Sequence, residues 1–432
     1  MINKDEIMKQ YSQMNKVEIS AVKGELDKAF SKYAEIGRKL NMTRGVPSDE
    51  QLALCNELLT DLSVNDYKSA NGTDCRNYGG LDGIPEMKKM FADLLDLTPD
   101  EVIVGGNSSL ALMFDNVAVN MSHGVRDGLP WQSQGKVKFL CPVPGYDRHF
   151  TICKYFHIEM IPVVMGADGP DMNTIEKLVS SDPMIKGIWC VPKYSNPTGI
   201  VYSDETVRRF SKLKPAADDF RIYWDNAYAF HDLDGTNAKI PNIIRLCEEN
   251  GNPNMPLVFA SFSKVSFAGA SVTCMASSKS NCDYIRQRLT AQTIGPDKLN
   301  QLRHVRFFKD AAGVMAHMKK HAAILQPKFK LVSDTLRREL DGLGIAEWTE
   351  PAGGYFVSFN ALEGCAKRIV ELCAQAGVAL TPAGATYPNG IDPQDRNIRI
   401  APTCPPLADL GAALEIFCTA VKLASAEKYL AE

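Results

Sequence analysis

The sequence predicts an α/β protein: a large domain with a mainly parallel sheet covered by helices, joined to a smaller α+β domain. Two observations carry this. From about residue 60, short apolar runs alternate with helical segments: EVIVGG, KVKFLCPVPG, EMIPVVMG, IKGIWCVPK, FRIYWDNAY and MPLVFASFSK. Each run ends in small or polar residues, the βαβ rhythm of a sheet buried on both faces. From about residue 300 the chain turns helical again, with short strands expected at GGYFVSFN and RNIRIAP.

In chain order, residues 1–55 read as an N-terminal segment contributing to the small domain. Apolar positions Val22, Leu26 and Phe30 and, less regularly, Ile36 and Leu40 indicate a helix. It stops where Gly45 and Pro47 break the pattern. Residues 56–310 form the large domain, and 311–432 the small C-terminal domain. A long amphipathic helix within KDAAGVMAHMKKHAAILQPKFKLVSDTLRREL is the expected bridge between them.

Composition narrows the function. Of the 432 residues, 45% are hydrophobic and 23% charged, ordinary values for a globular protein. A net charge of −3 gives no basic face for nucleic acid. No apolar run is long enough for a membrane span, and MINKDEIMKQ lacks a signal-peptide core. The 12 cysteines contain no CxxC pair, so reduced thiols in a cytoplasmic protein are expected. His317 and His321 stand four apart, but Lys319 and Lys320 lie between them and no acidic ligand is near. They are expected on a solvated helix, with no metal site.

In open sheets of this type, ligands bind at the carboxyl ends of strands. Four such ends carry chemistry. Gly105-Gly106-Asn107-Ser108-Ser109 opens a helix and suits an anion, although a plain turn would look the same. Asn196 lies in the turn Tyr194-Ser195-Asn196-Pro197-Thr198-Gly199. Asp225 and Tyr228 follow an apolar strand, where Asp225 could also cap a helix. Lys264 ends SFSK; partial burial of its ammonium would lower its pKa and make the amine nucleophilic. Together they suit pyridoxal 5′-phosphate, which needs a lysine for its aldehyde, a carboxylate beside its ring nitrogen, donors on its phenolic oxygen and a phosphate cradle.

The motifs SNPTG, DNAYAF, SFSK and NIRIAP resemble those of the fold type I aminotransferases, in the same order over nearly the whole chain. TRGVPS, RNYGG, CPVPGYDRHF and SKVSFAGA look most like the type Ic aspartate aminotransferases. The resemblance implies a homodimer with shared active sites and an exchange of amino groups between amino acids and 2-oxo acids. It implies that Lys264 holds the cofactor and then moves a proton, and that Asp225 pairs with the ring nitrogen. Asn196 and Tyr228 would bond the phenolic oxygen. Gly106, Asn107, Ser108, Ser261 and Ser263 would surround the phosphate, with Tyr78 reaching that of the neighbouring subunit. Arg399 would fork onto the substrate α-carboxylate, and Gly45 would donate to it.

Two departures stand out. The arginine common in relatives after the lysine is replaced by Gly269-Ala270-Ser271-Val272, which makes Ser266 a candidate for the phosphate. The aromatic expected on the cofactor ring is absent from its usual offset, leaving Tyr146. For a second substrate carboxylate the candidate cations are Arg44, Lys298 and Arg303. Three other readings remain open: transamination of alanine or other amino acids, a β-eliminating or cyclising lyase, and a cofactor-sensing regulator. The last is opposed by the short, acid-rich stretch ahead of TRGVPS.

Overall fold

The computed structural model describes residues 9–236 and 238–432, so Met1–Met8, with Asp5 and Glu6, lie outside the described residues. Its strands are β1 (Leu40–Met42), β2 (Val102–Val104), β3 (Lys138–Val143), β4 (Glu159–Gly166), β5 (Gly169–Pro170), β6 (Ile185–Cys190) and β7 (Arg221–Asp225). Then follow β8 (Pro256–Ser261), β9 (Thr273–Ala276), β10 (Ala346–Trp348), β11 (Val357–Ala361), β12 (Val378–Leu380) and β13 (Asn397–Ile400). Eight of them form one sheet in the order β2-β9-β8-β7-β6-β3-β4-β5.

The expected apolar runs became β2, β3, β4, β6, β7 and β8. Strands β4-β3-β6-β7-β8 pair in parallel, whereas β9 is antiparallel to both β2 and β8 and β5 is antiparallel to β4. Strand β9 comes from VTCMASS, which directly follows the SFSK loop and carries no helical crossover of its own. Residues of β6, β7 and β8 are buried throughout, because helices cover both faces.

The first and last long helices meet. Helix Lys16–Ile36 starts at a capping box: Asn15 accepts from Val17 and Glu18 N–H groups, and Glu18 accepts from the Asn15 N–H. It ends at Gly37, whose φ of 63° is the left-handed conformation glycine adopts without steric cost. The helix packs on Leu407–Ala431, and β1 pairs in parallel with β12. Leu410, Leu414, Phe417, Val421 and Ala424 keep helical spacing and face a core shared with Leu336, Phe359 and Ile400. Burying each large apolar side chain contributes about 1.5–3 kcal/mol.

The expected bridging helix runs unbroken over Ala311–Leu340 with Pro327 inside it. One expectation on it fails: His317 and His321 are buried, while Lys319 and Lys320 occupy its exposed face. Four-residue spacing puts both rings on one face, and that face meets the core rather than water. No helix among the described residues is long and apolar enough to cross a membrane.

Candidate active site

The carboxyl ends of β2, β3, β6, β7 and β8 open into one cleft of about 390 Å³, closed from the other side by Gly45, Phe356 and Arg399. Lys264 follows β8 by three residues. Its amine lies 5.0 Å from the Tyr228 ring centroid and 5.7 Å from that of Tyr355. Burial lowers its pKa; the negative charge of Asp225 opposes the shift and Arg399 adds to it.

Asp225 ends β7 and is only 3% exposed. Its Oδ2 accepts a hydrogen bond from His149 Nε2 at 3.0 Å, so that nitrogen carries the ring proton. Its Oδ1 is buried and has no partner. A buried, half-satisfied carboxylate is costly unless a ligand completes it. His149 stacks on Trp189 at 4.5 Å and 10°, which fixes the imidazole plane behind the carboxylate.

The turn before helix Ser109–His123 is held by Thr273, whose backbone N–H and hydroxyl both donate to the Gly106 carbonyl at 3.0 and 2.9 Å. A side chain on Gly105 would meet Leu112 at 2.8 Å. Ser108 caps the helix by accepting from the Ala111 N–H, and Asn107 donates to the Gly269 carbonyl at 2.9 Å. Ser261 and Ser263 stand on the opposite wall, with the Ser263 N–H 3.4 Å from Ser261 Oγ. Hydroxyls, amides and a helix start thus converge on one corner of the cleft.

Arg399 reaches across from β13. One of its terminal nitrogens is 3.1 Å from Asp147 Oδ1 and 3.3 Å from Asn196 Oδ1, and the other is 3.3 Å from Thr381 Oγ1. Its Nε is buried without a partner, and the guanidinium lies 4.8 Å from the Phe356 ring centroid. Phe356 also explains Gly45: a Cβ there would stand 2.5 Å from the ring. Tyr146 lies edge-on to His149 at 5.0 Å; burial pushes its hydroxyl up to about 12, aided by Asp225 and Asp147.

Of the residues singled out in the sequence, Arg44, Gly45, Asn107, Ser108, Tyr146, Asn196, Asp225, Tyr228, Ser261, Ser263, Lys264 and Arg399 line this cleft, whereas Gly106, Tyr78, Ser266, Lys298 and Arg303 do not. Gly106 is exposed, with open space where a side chain would stand, and Tyr78 is 81% exposed elsewhere on the surface. Ser266 is a correction: it is buried and bonds His304 Nε2 at 2.8 Å, facing away from the cleft. Lys298 donates to the Gly79 carbonyl and Arg303 to Asn300, so neither lines the cleft of its own chain. Sequence reasoning missed His149, Phe356 and Arg148. The last stands in the quoted stretch CPVPGYDRHF, one residue ahead of His149, and lines the cleft beside Asp147.

The aspartate aminotransferase family model matches residues 14–432. An aspartate aminotransferase of Corynebacterium glutamicum is 44% identical over 98% of this chain and 100% of its own. The crystal structure of an aspartate transaminase from the same organism superposes with a TM-score of 0.94 at 44% identity, covering 96% of this chain and 98% of that one. An α-aminoadipate aminotransferase of Thermus thermophilus, complexed with N-(5′-phosphopyridoxyl)-L-leucine, shares the fold at a TM-score of 0.74 and 18% identity, covering 92% and 95%. With a strand-end lysine, a half-paired buried aspartate and an arginine closing one cleft, and with these relatives matching nearly end to end, the chain belongs to the aspartate aminotransferase family.

Proposed function

We propose that this protein is a pyridoxal 5′-phosphate-dependent transaminase that passes the amino group of L-aspartate to 2-oxoglutarate, giving oxaloacetate and L-glutamate by a ping-pong route. The observation that carries the reading is Asp225: a buried carboxylate with one oxygen held by His149 and the other unpaired, lining the cleft that Lys264 enters. The residues present fit the cofactor, since this orphan oxygen matches a protonated ring nitrogen and the Ser108 corner matches a phosphate.

When bound, the cofactor supplies an electron sink for the substrate Cα. Lys264, whose pKa burial lowers, would hold the cofactor covalently and would move the proton at the substrate Cα. Asp225 keeps the ring nitrogen protonated, with His149 fixing the carboxylate. Asn196 and Tyr228 donate to the phenolic oxygen, and Gly106, Asn107, Ser108, Ser261 and Ser263 cradle the phosphate. Tyr146 flanks the ring. Arg399 takes the substrate α-carboxylate in a fork, giving up Asp147 as partner, and Gly45 leaves room beside it.

Aspartate carries a second carboxylate, and Arg44 and Arg148 both line the cleft to receive it. The same reading divides the chain into 1–55 and 311–432, closing over 56–310, supported by two cores that fall mostly to either side of those boundaries, with Tyr194 and Tyr228 joining the first and Val314 and Met318 the second. A homodimer with Tyr78 reaching the neighbouring site is part of the proposal, supported by the exposure of Tyr78. A cytoplasmic setting is supported by the 12 unpaired cysteines.

The deciding experiment is an absorption titration of the holoenzyme with L-aspartate, then 2-oxoglutarate. Conversion of the cofactor band by aspartate and its return with the oxo acid is the expected result. Conversion by L-alanine alone would move the substrate, and turnover without an oxo-acid acceptor would point to a lyase.

A further inference from the structure

Behind the loop that carries Lys264 lies a second constellation. His317 and His321 project from one face of helix Ala311–Leu340 toward Cys55, and all three are buried. His317 Nε2 is 3.0 Å from His321 Nε2 and 3.3 Å from Cys55 Sγ. The Val265 carbonyl oxygen completes the group, 3.0 Å from His317 Nε2 and 3.5 Å from Cys55 Sγ. Among the described residues, no other set of three histidine, cysteine or acidic side chains brings its ligand atoms within 4.8 Å of one another.

Hydrogen bonding alone does not satisfy this group. Gln51 Oε1 accepts from the Ser48 N–H at 3.1 Å, so the Gln51 amide nitrogen faces His321 Nδ1 at 3.0 Å and donates to the Tyr355 hydroxyl at 2.9 Å. His321 Nδ1 is then an acceptor, and the neutral ring carries its proton on Nε2. His317 Nε2 faces that N–H and the Val265 carbonyl at the same time. If it carries a proton, it opposes the N–H of His321; if bare, it opposes the lone pairs of Val265. One repulsive contact remains in either case. A cation among the four atoms removes that contact, because each then offers a lone pair, and moves the mismatch outward to Gln51, which must exchange the Ser48 N–H for the His321 Nδ1–H.

We propose that Cys55, His317 and His321 form a zinc site, with the Val265 carbonyl beside the fourth position. Two imidazoles and a thiolate, buried and without carboxylates, suit a borderline-soft ion rather than magnesium or calcium. Ideal tetrahedral zinc places such donors about 3.3–3.6 Å apart, so the observed edges need to open by only a few tenths of an ångström. Burial holds both imidazoles down to about 4, so each ring is neutral at neutral pH, with one nitrogen bare and the other carrying the proton. It also pushes the Cys55 thiol up to about 12, so coordination breaks its S–H bond, forms S–Zn and releases one proton to solvent. The His321 proton moves to Nδ1, and the Gln51 amide turns to accept it, giving up its bond from the Ser48 N–H.

The position gives the ion a structural task. Val265 follows Lys264, whose own carbonyl lies 3.2 Å from His231 Nε2 and 3.5 Å from the Tyr355 hydroxyl. Zinc would fix from behind the backbone that presents the lysine. The inference does not depend on what the cleft binds, because its readout is metal content.

The test uses holoenzyme produced with zinc, and separately with cobalt(II), then dialysed against metal-free buffer. A Cys404→Ser background removes the exposed cysteine. The expected result is about one zinc per chain, and a thiolate-to-cobalt charge-transfer band that Cys55→Ser abolishes. His321→Gln should lower zinc occupancy at least roughly tenfold. Should the His321 variant fail to fold, the cobalt spectrum of the parent protein decides. Absence of that band, or its persistence in Cys55→Ser, overturns the proposal.

Discussion

Two buried aspartates flank the same strand, β7, and they are built to opposite ends. Asp219, at its amino end, has both oxygens engaged: Lys186 Nζ lies 2.6 Å from Oδ1 and Gln134 Nε2 2.8 Å from Oδ2. Lys186 also donates to Gln134 Oε1 at 2.7 Å, which closes the triad. Asp225, at the carboxyl end, has His149 on one oxygen and nothing on the other. A closed polar cluster has no capacity left for a ligand, so it ties elements together. An open one keeps a desolvated lone pair, tolerable where a ligand supplies the missing proton donor. Burial is common to both carboxylates, and of the two only Asp225 keeps an unpaired oxygen for a ligand.

Substitutions at the two aspartates and their partners separate the open site from the closed one. The largest effect belongs to Lys264→Ala, which should reduce transamination roughly 10⁴-fold and shift the absorbance of bound cofactor. A variant keeping both colour and rate would mean that the site is misassigned. Next comes Asp225→Asn, which keeps the shape but removes the charge. We expect kcat to fall about 10²–10³-fold, whereas Asp219→Asn should leave kcat near wild type. Equal losses from the two asparagines would collapse the distinction.

Lys186→Met tests the closed cluster from the stability side. It strands Asp219 in the interior and should cost about 3–5 kcal/mol in urea unfolding, with the rate of the folded enzyme unchanged. Arg399→Lys is smaller: a point charge replaces a fork, and KM for aspartate should rise about 10–100-fold. A rise in KM for aspartate with no change for L-alanine would instead tie Arg399 to the side-chain carboxylate.

The mildest effect is graded with pH. Burial lowers the pKa of His304, His317 and His321 from 6.5 to about 4. The unfolded chain therefore binds protons that the folded one refuses. Stability should be full above about pH 6.5 and decline as the pH falls toward 4, which urea midpoints across that range would show. A flat profile would mean that these rings are protonated in the folded protein. A bound zinc would steepen the decline, and removing the metal before the titration separates the two contributions.

Much of the candidate site was legible because its residues sit in local motifs at strand ends. An apolar run followed by Asp225-Asn226-Ala227-Tyr228, or by Ser261-Phe262-Ser263-Lys264, announces both the strand and the polar group presented at its end. The pairing of His149 with Asp225 was not legible, because 76 residues separate them and no local pattern marks the contact. Ser266 looked like a phosphate ligand by proximity to Lys264, yet the chain turns it into the core against His304. The pair His317 and His321 looked solvated because lysines lie between them, but adjacent positions on a helix face different ways.

Taken alone, the sequence determined β2, β3, β4, β6, β7, β8, β11 and β13, the long helix over Ala311–Leu340 and which chemistry stands at which strand end, since period and composition are properties of neighbours in the chain. Only the tertiary structure decided which oxygen of Asp225 stays free, which cations reach the cleft and which side of a helix is dry. Those outcomes depend on contacts between segments far apart in sequence, where packing and desolvation act on pairs that no local pattern names.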